Sequence, residues 1–142
     1  ENSVKTPNDS WDYPSLFGDL MEQAGHNFHT FEIPFAGDDM KDAALNFIDA
    51  GDFEQIIITN FYDRSAKPGT LAAALVQRKI PVILITNTPY TVKSSGGLIP
   101  EADAVLVNMN LTPEGLRVSR DILLGRAKPE GTWPLKHYYP EG

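Results

Sequence analysis

Hydrophobic residues in this chain fall into short unbroken runs separated by stretches with helical spacing. Residues 82–85 (VILI) are four consecutive apolar residues without polar alternation, and residues 56–58 (III) form a similar run. A strand with one face in water would alternate, so a continuous run predicts a strand that is covered on both faces. Residues 104–108 (AVLVN) predict a third short strand, and residues 27–35, which Pro34 ends or limits to a sheet edge, predict a fourth.

Helical patterns lie between and around these runs. Apolar residues recur at helical spacing over residues 14–24, 40–48, 71–78 and 113–123. Gly25, Gly51 and Gly125 follow three of these stretches as predicted stops. The last helix has a predicted start at Thr112 and Pro113, a capping hydroxyl followed by a proline in the first helical position.

Alternation of helices and buried strands predicts an α/β protein, a three-layer αβα sandwich around a mostly parallel, flavodoxin-like sheet. We expect one domain over residues 1–142, with the polar, turn-rich residues 1–12 as a lead-in loop. Such folds usually begin with a strand, and the pattern offers none before the first helix. The chain starts at Glu1 instead of methionine, which leads us to expect processing or excision from a longer protein.

Composition and charge narrow the function classes. The formal net charge is −7, which argues against a nucleic-acid partner because phosphate binding needs a basic patch. No apolar run approaches the ~20 residues of a membrane span. The chain has no cysteine, which excludes disulfides and thiolate metal sites and fits either a cytoplasmic or a secreted location. No motif for a cofactor or metal is present, so we expect neither.

Polar residues follow the predicted strands. Asn60, Asn87 and Asn108 each end an apolar run, and ligands of parallel sheets bind beyond the carboxyl ends of the strands. The loop after the first run adds aromatic and charged groups. The candidate substrate-binding or domain-interface residues are Asn60, Phe61, Tyr62, Asp63, Arg64, Asn87, Tyr90 and Asn108. The alternative is local: asparagine tolerates turn geometry and caps its own backbone.

Other chemistry-bearing residues favour structural roles. Asp38 and Asp39 precede a helix, where capping is the simpler explanation than acid/base or metal chemistry. The three histidines lack a paired ligand spacing, and the segment around Gly96 lacks the lysine and spacing of a phosphate loop. The residues themselves predict no catalytic site.

Residues 122–135 (ILLGRAKPEGTWPL) are the most specific stretch. They resemble the closing signature of the C-terminal α/β domain of family 3 glycoside hydrolases, approximately L-x-G-x-x-x-P-x-G-x-[LW]-P-[VL]. Residues 81–90 (PVILITNTPY) resemble a strand and loop of the same domain, and residues 56–64 resemble the preceding strand and loop. The similarity covers about residues 10–136.

This resemblance implies a retaining hydrolase whose barrel domain carries the aspartate nucleophile. In the β-glucosidase branch the C-terminal domain supplies a glutamate just before a Gly-Asp-Arg-like segment; here Asp63 and Arg64 follow residues 60–62 (NFY), which contain no carboxylate. The short domain is more similar to the β-N-acetylhexosaminidase branch, where the barrel also supplies the acid/base. The implied function is therefore an accessory domain, with the N-terminal barrel and carbohydrate as partners. The alternative from another class is a free-standing flavodoxin-like module that binds a sugar.

Overall fold

The computed structural model describes residues 12–25, 27–31, 39–61, 74–75, 77–87 and 102–132. These residues form three helices and three strands: α1 (Tyr13–Glu22), α2 (Asp39–Ala50), β1 (Ile56–Asn60), β2 (Val82–Thr86), β3 (Ala104–Val107) and α3 (Pro113–Leu123). Residues 74, 75, 77 and 78 are also helical, and we call them the pre-β2 helical segment. The alternation that the sequence predicts is present, so the protein has an α/β fold.

The described sheet is parallel, with strand order β1-β2-β3. Ile58 of β1 is paired with Leu84 of β2, which is paired with Val105 of β3. The two apolar runs thus lie in adjacent, parallel strands. Residues 27–31, the described half of the fourth predicted strand, are not in a strand, and residues 32–35 lie outside the described part.

The central strand β2 is buried along almost its whole length. Val82, Leu84, Ile85 and Thr86 have no exposed surface, whereas Ile83 is half-buried. Successive residues of a strand point to opposite faces, so both faces of β2 are covered. The apolar run of β1 is only half-buried from Ile56 to Thr59, which corrects the expectation that it is buried as deeply as β2.

Different helices cover successive side chains of the sheet. Ile85 belongs to one apolar cluster with buried residues of α1 and α3: Phe17, Leu20, Met21 and Leu116. Val82 belongs to a second cluster with Ala44 and Ile48 of α2 and with Leu75 of the pre-β2 helical segment. We call these the α1/α3 cluster and the α2 cluster.

Local signals set the helix ends. The Asp12 side chain caps α1 by accepting a hydrogen bond from the Ser15 N–H at 3.2 Å, and Thr112 caps α3 by accepting one from the Gly115 N–H at 3.1 Å. Gly25 and Gly125 follow α1 and α3 with φ values of 82° and 68°. This left-handed conformation favours glycine and ends a helix, as the sequence predicts. Asp39 is the first residue of α2, and Asp38 lies outside the described residues.

The start of β2 has its own cap. Pro81 lacks an N–H and stands just before the strand, and the Val82 N–H donates to Oδ2 of Asp103 at 2.8 Å. The Asp103 N–H in turn donates to the Val82 carbonyl at 2.9 Å. This reciprocal pair satisfies both backbone groups of the first residue of β2.

An ion pair joins α2 to the pre-β2 helical segment. Nε and Nη2 of Arg78 donate to the two carboxylate oxygens of Asp49 at 2.6 and 2.7 Å, and Nη1 donates to the Ala74 carbonyl at 3.0 Å. The hydrogen bonds from Arg78 lower the pKa of Asp49 from its ordinary value of 3.8. The pair therefore stabilises the charged form of the carboxyl group.

Truncation of Ile85 to alanine tests the central position of β2. We expect Ile85→Ala to lower the free energy of unfolding by about 2–5 kcal/mol, because it leaves a cavity between β2 and the α1/α3 cluster. The matched control is Val118→Ala on α3, where the side chain is 54% exposed and the change stays within about 0.5 kcal/mol. Urea denaturation measures both, and equal losses would contradict a central β2.

The Asp49–Arg78 pair predicts a pH-dependent contribution to stability. Because the folded-state pKa of Asp49 lies below its unfolded value, the contribution is present above the unfolded pKa and is lost as pH falls through the folded pKa. We expect wild type to have a higher denaturation midpoint than Asp49→Asn at pH 7. The two midpoints should converge below the folded pKa; a constant difference across this range would show that the ion pair is not its source.

Candidate functional site

The carboxyl ends of the three strands meet at one edge of the sheet, which we call the carboxyl edge. The register pairs Asn60 with Thr86 and Thr86 with Val107. The next residue of each strand, namely Phe61, Asn87 or Asn108, therefore lies level with the other two. The ladder continues to this level at β3, because the Asn108 N–H donates to the Thr86 carbonyl at 2.8 Å.

The register separates the three asparagines that the sequence groups together. Asn87 and Asn108 each follow the last residue of a strand, whereas Asn60 is itself the last residue of β1 and lies one position earlier. Side chains alternate between faces along a strand, so a one-residue offset changes the face toward which a position is directed. The three amides thus do not form a single level row.

Phe61 belongs to the core and not to the exposed edge. Its exposed fraction is 8%, and it packs in the α1/α3 cluster with Ile85 and Leu116. Apolar burial of this kind holds the start of the loop after β1 against the helices. The aromatic surface that the sequence assigns to this loop therefore excludes Phe61.

Asn108 is also committed to the fold. It is 8% exposed, its Oδ1 accepts from the Asn110 N–H at 2.9 Å, and its Nδ2 donates to Oγ of Ser119 at 2.8 Å. The Ser119 hydroxyl donates to the Gly115 carbonyl at 3.1 Å. A buried amide that is hydrogen-bonded at both its oxygen and its nitrogen stabilises the connection from β3 to α3.

Gly115 completes this connection, although the sequence analysis does not single it out. A Cβ atom at this position would overlap the Asn110 carbonyl oxygen and would lie 3.4 Å from Oδ1 of Asn108. The first turn of α3 can therefore approach the loop only where a side chain is absent. The spacing of Gly115 and Ser119, four residues apart on one helix face, is the signal that could have identified them.

Asn87 is the remaining candidate at the carboxyl edge whose side chain is described. It is half-buried at the end of β2, next to the fully buried Thr86. Tyr62, Asp63, Arg64 and Tyr90 lie outside the described residues, and so does the side chain of Asn60.

The described residues also limit other kinds of site. Among them, no group of three or more histidine, aspartate or glutamate side chains is arranged to hold a metal ion. None of the helices in this part of the chain is long and apolar enough to cross a membrane.

The fold and the edge together define an α/β domain with a parallel sheet, polar strand ends and a tightly bonded β3–α3 connection. Comparisons with protein-family models, with curated proteins and with solved structures find no match.

A double-mutant cycle tests the structural role of Asn108. We expect Asn108→Ala to cost about 1–3 kcal/mol of stability, because it removes a buried amide and leaves its two hydrogen-bond partners without it. The cycle with Ser119→Ala should give a coupling of about 0.5–1.5 kcal/mol, measured by chemical denaturation. Additive losses would show that the two side chains do not depend on each other, and would favour a ligand-contacting role for Asn108.

Proposed function

We propose that this chain is the non-catalytic C-terminal domain of a family 3 glycoside hydrolase of the β-N-acetylhexosaminidase type, which acts on amino-sugar glycans. In this proposal the domain is a three-layer αβα sandwich with a flavodoxin-like sheet. The catalytic residues belong to an N-terminal barrel domain of the same polypeptide. The domain contributes a surface that contacts the barrel or flanks the bound carbohydrate.

The two apolar clusters support the proposed architecture. The α1/α3 cluster includes Ile85, and the α2 cluster includes Val82. These two side chains lie on opposite faces of β2, so each face of the strand packs against different helices. A parallel sheet whose faces are both covered by helices is the doubly wound arrangement.

One observation supports the functional proposal: two of the three stretches that resemble the family contain complete strands of the described fold, and the third begins at the end of a helix. Residues 81–87 contain the buried central strand β2, and residues 56–60 are its neighbour β1. The closing signature begins at the end of α3, where Gly125 has a φ of 68°. The glycine of this signature therefore ends a helix. The similar residues thus fall within or next to helices and strands of the fold and are not scattered along the chain.

The chemistry of the residues supports an accessory role. A retaining glycosidase needs two carboxyl groups about 5 Å apart on either side of the scissile bond. At the carboxyl edge the strands are followed by Phe61, Asn87 and Asn108, which cannot provide such a pair. Amide and aromatic groups there suit contact with a neighbouring domain or with sugar hydroxyls. Asn60, Tyr62, Asp63, Arg64, Asn87 and Tyr90 are the residues that we assign to this contact.

A free-standing sugar-binding module is the second candidate. It is favoured by the position of Asn60 and Asn87 at the carboxyl ends of adjacent parallel strands, where ligands of such sheets bind. Titration of the isolated chain with N-acetylglucosamine, followed by NMR shifts, separates the two proposals. A saturable site on the isolated chain favours the module, whereas its absence favours a surface that works only beside the barrel.

The proposed contact is tested in the full-length enzyme with Tyr62→Ala and Arg64→Ala combined. We expect weaker domain association or a raised KM with kcat little changed, because the chemical step takes place on the barrel. The matched control is Asp52→Ala with Glu54→Ala, exposed residues just before β1 at the opposite end of the sheet. This control should leave both kinetic constants unchanged.

Two results would contradict the proposed function. The isolated chain should not hydrolyse aryl β-N-acetylglucosaminides, and turnover that is lost on replacing one of its own carboxylates would overturn the accessory role. Unchanged docking, KM and kcat in the Tyr62→Ala, Arg64→Ala enzyme would remove this edge as a contact surface.

A further inference from the structure

Met109 is the most exposed of the large apolar side chains that the structure describes, with an exposed fraction of 66%. It directly follows Asn108 at the carboxyl edge of the sheet. Met21, by contrast, is 4% exposed and packs in the α1/α3 cluster. The side chain of Met40, the third methionine of the chain, lies outside the described residues. The two described thioether groups therefore differ strongly in their access to solvent.

The backbone on both sides of Met109 is held by groups other than the Met109 side chain. The Asn110 N–H donates to Oδ1 of Asn108 at 2.9 Å, which closes an Asx-turn around Met109. The Asn108 N–H donates to the Thr86 carbonyl at 2.8 Å, and the Thr112 N–H donates to the Asn110 carbonyl at 2.9 Å. The conformation of this turn therefore does not depend on the packing of Met109.

A thioether that faces water is open to oxidation by a hydroperoxide. A lone pair of the sulfur forms an S–O bond with one oxygen of hydrogen peroxide as the O–O bond breaks. The hydroxide that leaves takes the proton from the transferred oxygen and departs as water. The sulfur is thus oxidised to the sulfoxide and the peroxide is reduced. The product is polar, and in a protein core it disrupts apolar packing.

We propose that Met109 is a site of reversible oxidation, at which hydrogen peroxide forms the sulfoxide without loss of the fold. The exposed sulfur is open to the peroxide, and the polar product stays in water. Met21 meets neither condition, because a sulfoxide there would be buried beside Phe17 and Ile85 in the α1/α3 cluster. Methionine sulfoxide reductases act on this product, which makes the change reversible.

Oxidation of Met109 converts one position of the carboxyl edge from apolar to polar. The position belongs to the β3–α3 connection, whose hydrogen bonds leave the Met109 side chain unused. The modification therefore changes the surface of the domain and not its core, whether or not a barrel domain is present.

The first measurement compares the two sulfurs in the whole chain. Limited treatment with hydrogen peroxide, followed by peptide mass spectrometry, gives the oxidation rate of each methionine. We expect Met109 to react roughly tenfold or more faster than Met21 in the native protein. The matched control is the same treatment in concentrated urea, where both sulfurs are exposed and should react at similar rates. Similar rates in the native protein, or faster oxidation of Met21, would overturn the proposal.

The second measurement tests whether the fold tolerates the change. Glutamine approximates the size and polarity of the sulfoxide, so we expect Met109→Gln to leave the urea denaturation midpoint unchanged. The matched variant Met21→Gln should lower the midpoint or prevent folding, because it buries an amide among apolar side chains. Protein oxidised at Met109 alone should melt at the temperature of untreated protein. A lower midpoint for Met109→Gln, a lower melting temperature of the oxidised protein, or an unchanged midpoint for Met21→Gln would each contradict the assignment.

Discussion

Burial of β2 on both faces is the constraint on which the rest of the described structure depends. Val82 and Ile85 point in opposite directions and neither has exposed surface, so each requires its own apolar partners. The α2 cluster supplies one set and the α1/α3 cluster the other. Because both faces of β2 are buried, the backbone groups at its ends need hydrogen-bond partners within the protein. At the start of β2, Asp103 provides them for the N–H and the carbonyl of Val82.

Much of this frame could be predicted from sequence, because its signals are local. The apolar run at residues 82–85, the proline and capping hydroxyl at the start of α3, and the glycines after α1 and α3 each act within a few residues. The depth of β1 could not be predicted in this way. Its isoleucine run is as apolar as that of β2, but burial depends on what pairs with its outer edge, and that is a long-range property.

The candidate site was predicted less well, for a physical reason. An asparagine after a strand can face a ligand or hold a loop, and the residue type is the same in both cases. Asn108 has the second role because Ser119 and Gly115, both on a later helix, supply a hydrogen-bond partner and the space for close approach. Phe61 likewise lies in the core because α1 and α3 cover its position. Neither outcome can be derived from the strand ends alone.

These assignments make the carboxyl edge of the sheet asymmetric. At β3 the buried amide of Asn108 is hydrogen-bonded at both its oxygen and its nitrogen, and α3 approaches within the space that Gly115 leaves, so this amide serves the fold. β1 ends in Asn60, and Asn87 directly follows β2. Under the proposed function, a partner that contacts polar groups at this edge would approach from the side of β1 and β2. On that proposal, the contact with the barrel domain is separate from the β3–α3 connection.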